Sequence, residues 1–176
     1  MTTPLPEPLT AAITAVADAL EGVDWLITGS VARALSGFAA TPRDLDVEVA
    51  ATQIEQAAAR LGLGVANMRD PQASSRRAIG AIGTVGTVEL DMTAGLTLIG
   101  PGGILPPDFD LMRQFATEAT VDGRSVPVAP LEEQIVRILV SGNEARRARF
   151  VRESPADYIA RSDYVELRLA AARAAR

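Results

Sequence analysis

The sequence predicts an α/β (α+β) protein in which a small mixed β-sheet is backed by helices. Two segments, 44–49 and 85–92, alternate acidic or polar residues with apolar ones, which is typical of strands with one buried face. Apolar residues also recur at helical spacing after residue 9 and after residue 130. We therefore expect a core over 1–129 and a C-terminal helical subdomain over 130–176.

The N-terminal elements follow from their apolar runs and glycines. One packing helix is predicted to begin at a Thr10 cap and to end at Gly22. An apolar strand over 25–28 comes next, then a Gly29-Ser30 turn and a short helix over 30–35. The turn therefore joins a buried strand to a helix.

The next strand carries a row of carboxylates. Because strand side chains alternate between faces, one side is acidic and the other apolar; the acidic side holds Asp44, Asp46 and Glu48, and the apolar side holds Leu45, Val47 and Val49. Residues two apart on a strand lie about 6.5–7 Å apart at Cα, so two carboxylates reach one divalent cation or a pair of them. Anions this close need a counter-charge, and Mg²⁺ is the natural one.

A second strand repeats this pattern later in the chain. Over 85–92 the acidic residues are Glu89 and Asp91, each flanked by apolar neighbours. Before it, Thr52 is predicted to cap a helix over 53–61, and 70–75 reads as a polar loop. Two acidic strands in one small domain favour a cation between them, and an exposed edge strand is the alternative.

The remaining chain is predicted as loop, hairpin and helices. The stretch 93–110 has four glycines and three prolines, which favours a long loop, and Asp122-Gly123 predicts a hairpin turn. A helix after Pro130 is predicted to bury Leu131, Ile135, Ile138 and Leu139. The basic cluster Arg146, Arg147, Arg149 and Arg152 either contacts a ligand or partner, or is a solvated helix face.

Composition excludes several kinds of chemistry. The chain has no cysteine, no histidine and no lysine, so all 17 basic residues are arginine. Thiol and imidazole catalysis, Schiff bases and the Walker A phosphate site are therefore excluded. Carboxylates, hydroxyls, arginines, backbone amides and a metal ion remain, and this set suits phosphoryl or nucleotidyl transfer.

The net charge and hydropathy limit the location and partners that we expect for the protein. The net charge of −5 disfavours a general nucleic-acid-binding surface. The N-terminal residues lack the basic and apolar parts of a secretory signal, and no apolar run reaches the roughly 18–20 residues of a membrane span. We expect a cytoplasmic protein without a membrane segment.

The spacing of these residues resembles a known family signature. Gly29-Ser30, thirteen intervening residues and Asp44-Leu45-Asp46-Val47 resemble the signature of the nucleotidyltransferases of the DNA polymerase β superfamily. The resemblance is close over 25–49 and looser over a later strand and the C-terminal helices. It points toward small bacterial and archaeal members, of the aminoglycoside-modifying or toxin-like types.

The resemblance implies a role for each candidate residue. Asp44 and Asp46 would hold two Mg²⁺ ions, and Asp91 would be the third carboxylate, with Glu89 as the alternative. Gly29 and Ser30 would bind the phosphates of an NTP such as ATP. Arg33 is a further nucleotide-binding candidate, with a solvated helix residue as the alternative, and Arg161-Ser162-Asp163 is similar to a basic C-terminal motif that normally contains lysine.

Two functions remain open at this point. The first is transfer of a nucleoside monophosphate to a hydroxyl of a small molecule, tRNA or protein, with a small antitoxin as a partner if the protein is toxin-like. The second is a catalytically silent relative that binds nucleotide or a partner and keeps only the fold. Convergence of the three carboxylates on one point would favour the first.

Overall fold

The computed structural model describes residues 4–69 and 76–175, so the polar loop predicted at 70–75 lies outside the described residues. The described strands are β1 (Trp25–Ile27), β2 (Leu45–Val49), β3 (Ala66–Arg69), β4 (Arg76–Val85), β5 (Val88–Gly100), β6 (Gly103–Leu105), β7 (Thr117–Val121) and β8 (Arg124–Val128). They form one sheet in the order β3-β4-β5-β2-β1-β8-β7, with β6 paired to β5. The β2–β5 and β1–β8 pairs are parallel and the others are antiparallel, which confirms the predicted mixed sheet.

Helices cover both faces of this sheet. They are α1 (Glu7–Ala19), α2 (Gly29–Leu35), α3 (Ile54–Arg60), α4 (Phe109–Gln114), α5 (Leu131–Ser141), α6 (Glu144–Glu153) and α7 (Ser162–Ala174). The apolar sides of α1 and α3 share one core with the apolar side of β2. The acidic side of β2 faces α5 instead, since Glu48 binds Arg137 there. The division into a 1–129 core and a 130–176 subdomain stays a prediction.

Two predicted helix caps are wrong. The first helix begins at Glu7 and not at Thr10, because Pro8 fits the first turn and the Pro6 carbonyl accepts the first backbone hydrogen bonds. Thr52 lies inside a 3₁₀ turn, and α3 begins at Ile54 without a side-chain cap. Backbone carbonyls, and not the predicted threonine hydroxyls, therefore accept hydrogen bonds at the start of both helices.

The long loop predicted over 93–110 is also wrong. Strand β5 continues to Gly100, turns tightly, and returns as β6. Helix α4 follows, capped by Asp108, whose side chain accepts from the Leu111 N–H at 3.1 Å. The glycines and prolines mark a tight turn and helix boundary within ordered structure, which is why their number misled the prediction.

The predicted hairpin at Asp122-Gly123 is confirmed. These residues join β7 to β8, and both have positive φ, 49° and 76°, as a type I′ turn requires.

The predicted buried stripe of α5 is wrong in part. Leu131 is buried as expected, but Leu139 is 44% exposed. Two acidic residues, Glu132 and Glu133, are buried in its place. Ion pairs with arginines of other elements allow their burial, and hydrophobic periodicity alone cannot predict such pairs.

Among the described helices, none is both long enough and apolar enough to cross a membrane.

Candidate active site

Two aspartates lie side by side on neighbouring parallel strands. Asp46 of β2 is directly opposite Asp91 of β5 in the strand register, so both side chains project from the same face of the sheet. Asp44 precedes β2 by one residue and lies on the same side. All three aspartates line one cavity of about 420 Å³, which is in the range of small-molecule sites.

None of the three cavity aspartates forms an ion pair within the described residues. Burial, and then the charges of Asp44 and Asp91, raise the pKa of Asp46 to about 6. Burial likewise raises the pKa of Asp91, and its buried Oδ1 has no hydrogen-bond partner among the described residues. Crowded carboxylates of this kind need a cation or a proton.

The two candidates for the third carboxylate, Asp91 and Glu89, differ in position. Asp91 lines the cavity, whereas Glu89 is exposed outside it. Thr93 comes next on the same strand face and is buried, with its hydroxyl within 3.5 Å of the Val47 carbonyl. The cavity floor is therefore an Asp46–Asp91 pair flanked by Asp44.

The Gly29 turn runs directly against Asp46. Gly29 has φ +62°, and a Cβ at this position would lie 2.7 Å from Asp46 Cγ and overlap its carboxylate. Glycine is thus required both for the backbone conformation and for the close approach. Ser30 follows at the start of α2 and also lines the cavity.

The donor set suits a hard divalent cation, although the ligands are not yet gathered. Oxygen ligands from two or three carboxylates are those that Mg²⁺ uses, and the orphaned Asp91 oxygen supplies one. Within residues 4–69 and 76–175, however, no three acidic side chains already stand close enough to hold an ion together. Repulsion between the carboxylates opposes such an arrangement in the absence of a cation, and it adds to the effect of burial in raising the pKa of Asp46.

Arg33 lines the cavity but is engaged in other contacts. Its Nε donates to Glu153 at 2.9 Å and its guanidinium also donates to Gln134 at 2.7 Å. Gln134 in turn donates to the Gly29 carbonyl at 3.0 Å. The structure therefore places Arg33 where it fixes the Gly29 turn against α5 and α6.

Arg137 and three further arginines line the same cavity. Arg76 of β4 and Arg146 of α6 both lower the pKa of Asp46 through their positive charge, against the larger effect of burial. Arg149, one turn after Arg146, lines the wall as well. The sequence signals were the Arg76-Arg77 pair and the basic cluster of 146–152, and neither pattern alone separates an inward arginine from a solvated one.

Comparison with solved structures identifies the architecture. No protein-family model matches the chain, and no significant relative is found among curated proteins. A candidate nucleotidyltransferase from Thermotoga maritima superposes with a TM-score of 0.68 at 14% identity, over 85% of this chain and 93% of its own. The antibiotic-resistance factor ANT(2″)-Ia superposes with a TM-score of 0.51 at 15% identity, over 93% and 90%. The chain has the nucleotidyltransferase fold.

In this nucleotidyltransferase fold the second acidic residue of β2, Glu48, has a structural contact. Glu48 is buried, and its Oε2 accepts from Arg137 at 2.7 Å. Arg137 also donates to Glu133 at 3.1 Å, and Glu133 accepts from Arg168 and Tyr164. Burial would raise the pKa of Glu133, but Arg137, Arg168 and Tyr164 lower it overall. This network anchors β2 to α5 and α7 beneath the cavity.

Arg161 lies away from the cavity of the nucleotidyltransferase fold. It donates to Glu132 and to the Phe115 carbonyl, and its guanidinium stacks 5.3 Å from the Phe115 ring centre. The Arg161-Ser162-Asp163 segment therefore joins α7 to α5, and it does not line the cavity.

Proposed function

We propose that the protein is a Mg²⁺-dependent nucleotidyltransferase, which moves a nucleoside monophosphate from an NTP to a hydroxyl and releases pyrophosphate. The observation that carries this proposal is the crowded Asp46–Asp91 pair, which lies against the Gly29 turn in a cavity of suitable size. Nucleotidyl transfer demands mainly positioning and charge neutralisation, and the cavity offers groups for both.

Each side chain has a place in the proposed reaction. Asp44, Asp46 and Asp91 would hold Mg²⁺, predicted as two ions. When bound, the metal would neutralise the phosphates and stabilise the entering and leaving oxygens. Gly29 and Ser30 would seat the phosphates, and Arg146 and Arg149 of α6 would add positive charge from the cavity wall.

The proposed bond changes are those of an in-line displacement. The acceptor hydroxyl oxygen bonds to the α-phosphorus while the bond to the β-phosphate bridging oxygen breaks. The hydroxyl proton passes to a carboxylate, and Asp91 is placed to accept it because it lies opposite Asp46 in the strand register and lines the cavity. The pyrophosphate then leaves along the arginines of α6.

Calorimetric titration tests the donor site. ATP, GTP, CTP and UTP are titrated with Mg²⁺ into the wild type, an Asp44→Ala, Asp46→Ala double variant, and a Glu89→Ala control. Glu89 is an exposed carboxylate of the same strand as Asp91 and lies outside the cavity. We expect Mg²⁺-dependent binding of at least one nucleotide in the wild type and the control only. Absence of binding by all four nucleotides would rule out the proposal.

A catalytically silent relative is the second candidate. The observation in its favour is that the described acidic side chains do not already converge as metal ligands. Pyrophosphate release, or slow hydrolysis of the bound NTP, separates the two candidates, since a silent relative binds nucleotide without either. The tRNA or protein acceptor, the antitoxin partner and the cytoplasmic location remain predictions from sequence.

A further inference from the structure

Several arginines of the cavity wall have no acidic partner of their own among the described residues. Five arginines line the cavity, and two of them form ion pairs. Arg33 pairs with Glu153, and Arg137 pairs with Glu48 and Glu133. The other three, Arg76, Arg146 and Arg149, form no ion pair within residues 4–69 and 76–175. Once a metal neutralises the aspartates, these three charges remain available to a ligand.

The three arginines belong to two different walls. Helix α6, with Arg146 and Arg149, is tied to the Gly29 end by the Arg33–Glu153 ion pair and by the hydrogen bond from the Ala39 N–H to the Glu153 carbonyl. Arg76 is on β4, which pairs with the strand that carries Asp91. The α6 wall therefore adjoins the proposed phosphate seat, and the β4 wall adjoins the carboxylate assigned to the attacking hydroxyl.

A β-bulge shapes the β4 wall. Arg77 pairs with Thr97 but Ile79 pairs with Ala94, so β5 has one extra residue here, and Gly95 has φ +62°. The bulge changes the alternation: Asp91 and Thr93 line the cavity before it, and Leu96 and Leu98 line it afterwards. Arg76 is directly opposite Leu98 in the register, so the arginine and two leucines share one face.

We propose that this wall binds the acceptor, and that the acceptor combines an anionic group with an apolar body. Arg76 pairs with the anionic group, and Leu96 and Leu98 contact the apolar part. A polycationic acceptor such as an aminoglycoside is disfavoured, because the described β4 wall offers it a like charge and no carboxylate beyond the metal-binding set. This inference rests on the proposed function.

Binding of small probes to the nucleotide-loaded protein tests the inference. The protein is saturated with Mg²⁺ and the α,β-methylene analogue of the NTP that binds, and is then titrated with nitrophenyl phosphate, nitrophenyl glucoside or tobramycin. The first two probes share the ring and differ in charge, and tobramycin is a polycation. Variants are Arg76→Ala, Arg76→Lys, and Arg77→Ala as the matched control, since Arg77 is exposed and does not line the cavity.

We expect nitrophenyl phosphate to bind best, roughly ten-fold to a hundred-fold more weakly after Arg76→Ala, with partial recovery in Arg76→Lys and no change in Arg77→Ala. Thermal melting of each variant verifies that it is folded. Three outcomes would overturn the inference and leave the proposed function standing. They are failure of the nucleotide-loaded protein to bind nitrophenyl phosphate, equal binding of this probe after Arg76→Ala, and stronger binding of tobramycin than of nitrophenyl phosphate. Failure of every nucleotide to bind would remove both, and the titration of Mg²⁺ and NTP alone reveals which case applies.

Discussion

At the scale of single residues, the ionised carboxylate of Asp46 destabilises the folded, metal-free protein. This carboxylate is half-buried between Asp44, Asp91 and the Gly29 turn, and these surroundings favour the protonated form. A group whose pKa is raised in the folded state binds protons more tightly when folded. The metal-free protein therefore loses stability as the pH rises from the ordinary aspartate pKa to about 6, and the loss persists above that pH.

The substitution Asp46→Asn should stabilise the metal-free protein at neutral pH. The amide removes the buried charge, so we expect a gain of about 1–3 kcal/mol at pH 7.5 and little gain below about pH 4, where the wild-type carboxyl is protonated. Urea unfolding in EDTA at both pH values measures the difference, with Glu89→Gln as the exposed control. A gain that is equal at both pH values would contradict this explanation.

Gly29 provides a second prediction at the residue scale. Gly29→Ala should destabilise the protein by about 2–4 kcal/mol, through the positive φ and through overlap with Asp46. Gly22→Ala is the matched control, because Gly22 also has positive φ, +76°, but nothing lies within 4 Å of its added Cβ. The difference between the two free energies of unfolding isolates the overlap, and two equal values would show that Asp46 moves aside freely.

Sequence patterns predicted the residues of the floor better than those of the walls. Asp44, Asp46 and Asp91 follow from alternation along unbroken strands, and the structure brings them to one cavity. For Arg76 the sequence left open whether the side chain faces a phosphate or solvent, because the bulge that sets its direction depends on the pairing of two strands. No local pattern of the β4 sequence contains that information.

At the scale of elements, one arginine holds the acidic strand to the C-terminal helices. Arg137 of α5 bridges Glu48 of β2 and Glu133 of its own helix, and both carboxylates are almost fully buried. Arginine pairing also explains why the buried side of α5 was mispredicted: Glu132 is stable there only with Arg161, and Glu133 only with Arg137 and with Arg168 of α7. The partners outside α5 are distant in sequence, so periodicity within α5 cannot reveal them.

Arg137→Met should lower the free energy of unfolding by about 3–5 kcal/mol, since it leaves two buried carboxylates without their shared cation. Arg124→Met is the control, because the Arg124–Asp18 ion pair is half-exposed at the surface and should cost no more than about 1 kcal/mol. Chemical denaturation of both variants measures the contrast. Similar losses in the two variants would show that the buried network contributes no more than a surface pair.

At the scale of the whole molecule, the β5–β6 hairpin and α5 meet backbone to backbone. A Cβ on Gly102 would lie 2.6 Å from Val140 Cα, and one on Gly100 would lie 2.8 Å from Ser141 Cα. The Gly102 N–H also donates to the Val140 carbonyl at 3.0 Å. The glycines of the mispredicted loop thus seat the C-terminal helices on the sheet, a contact between elements that no sequence window spans.

Gly102→Ala should push the β5–β6 hairpin away from α5 and lower the free energy of unfolding by about 1–3 kcal/mol. It should also weaken nucleotide binding, because α5 contributes Gln134 and α6 contributes Arg146 to the cavity. Gly64→Ala, at a position with nothing within 4 Å of the added Cβ, should be neutral or slightly stabilising. Thermal melting and the Mg²⁺–NTP titration together test both parts, and unchanged nucleotide affinity would show that the helices are positioned by other contacts.

The crowded Asp46–Asp91 pair has a consequence for the acid–base titration of this particular chain. Because the protein has no histidine and no cysteine, the usual side chains that exchange protons near neutrality are missing. A carboxyl with a pKa of about 6 therefore titrates almost alone between pH 5.5 and 7, apart from the other cavity acids. Proton uptake by the whole molecule in this window reports on the site. Mg²⁺ binding should therefore release at most about one proton per molecule, and the release should fall as the pH rises above about 6.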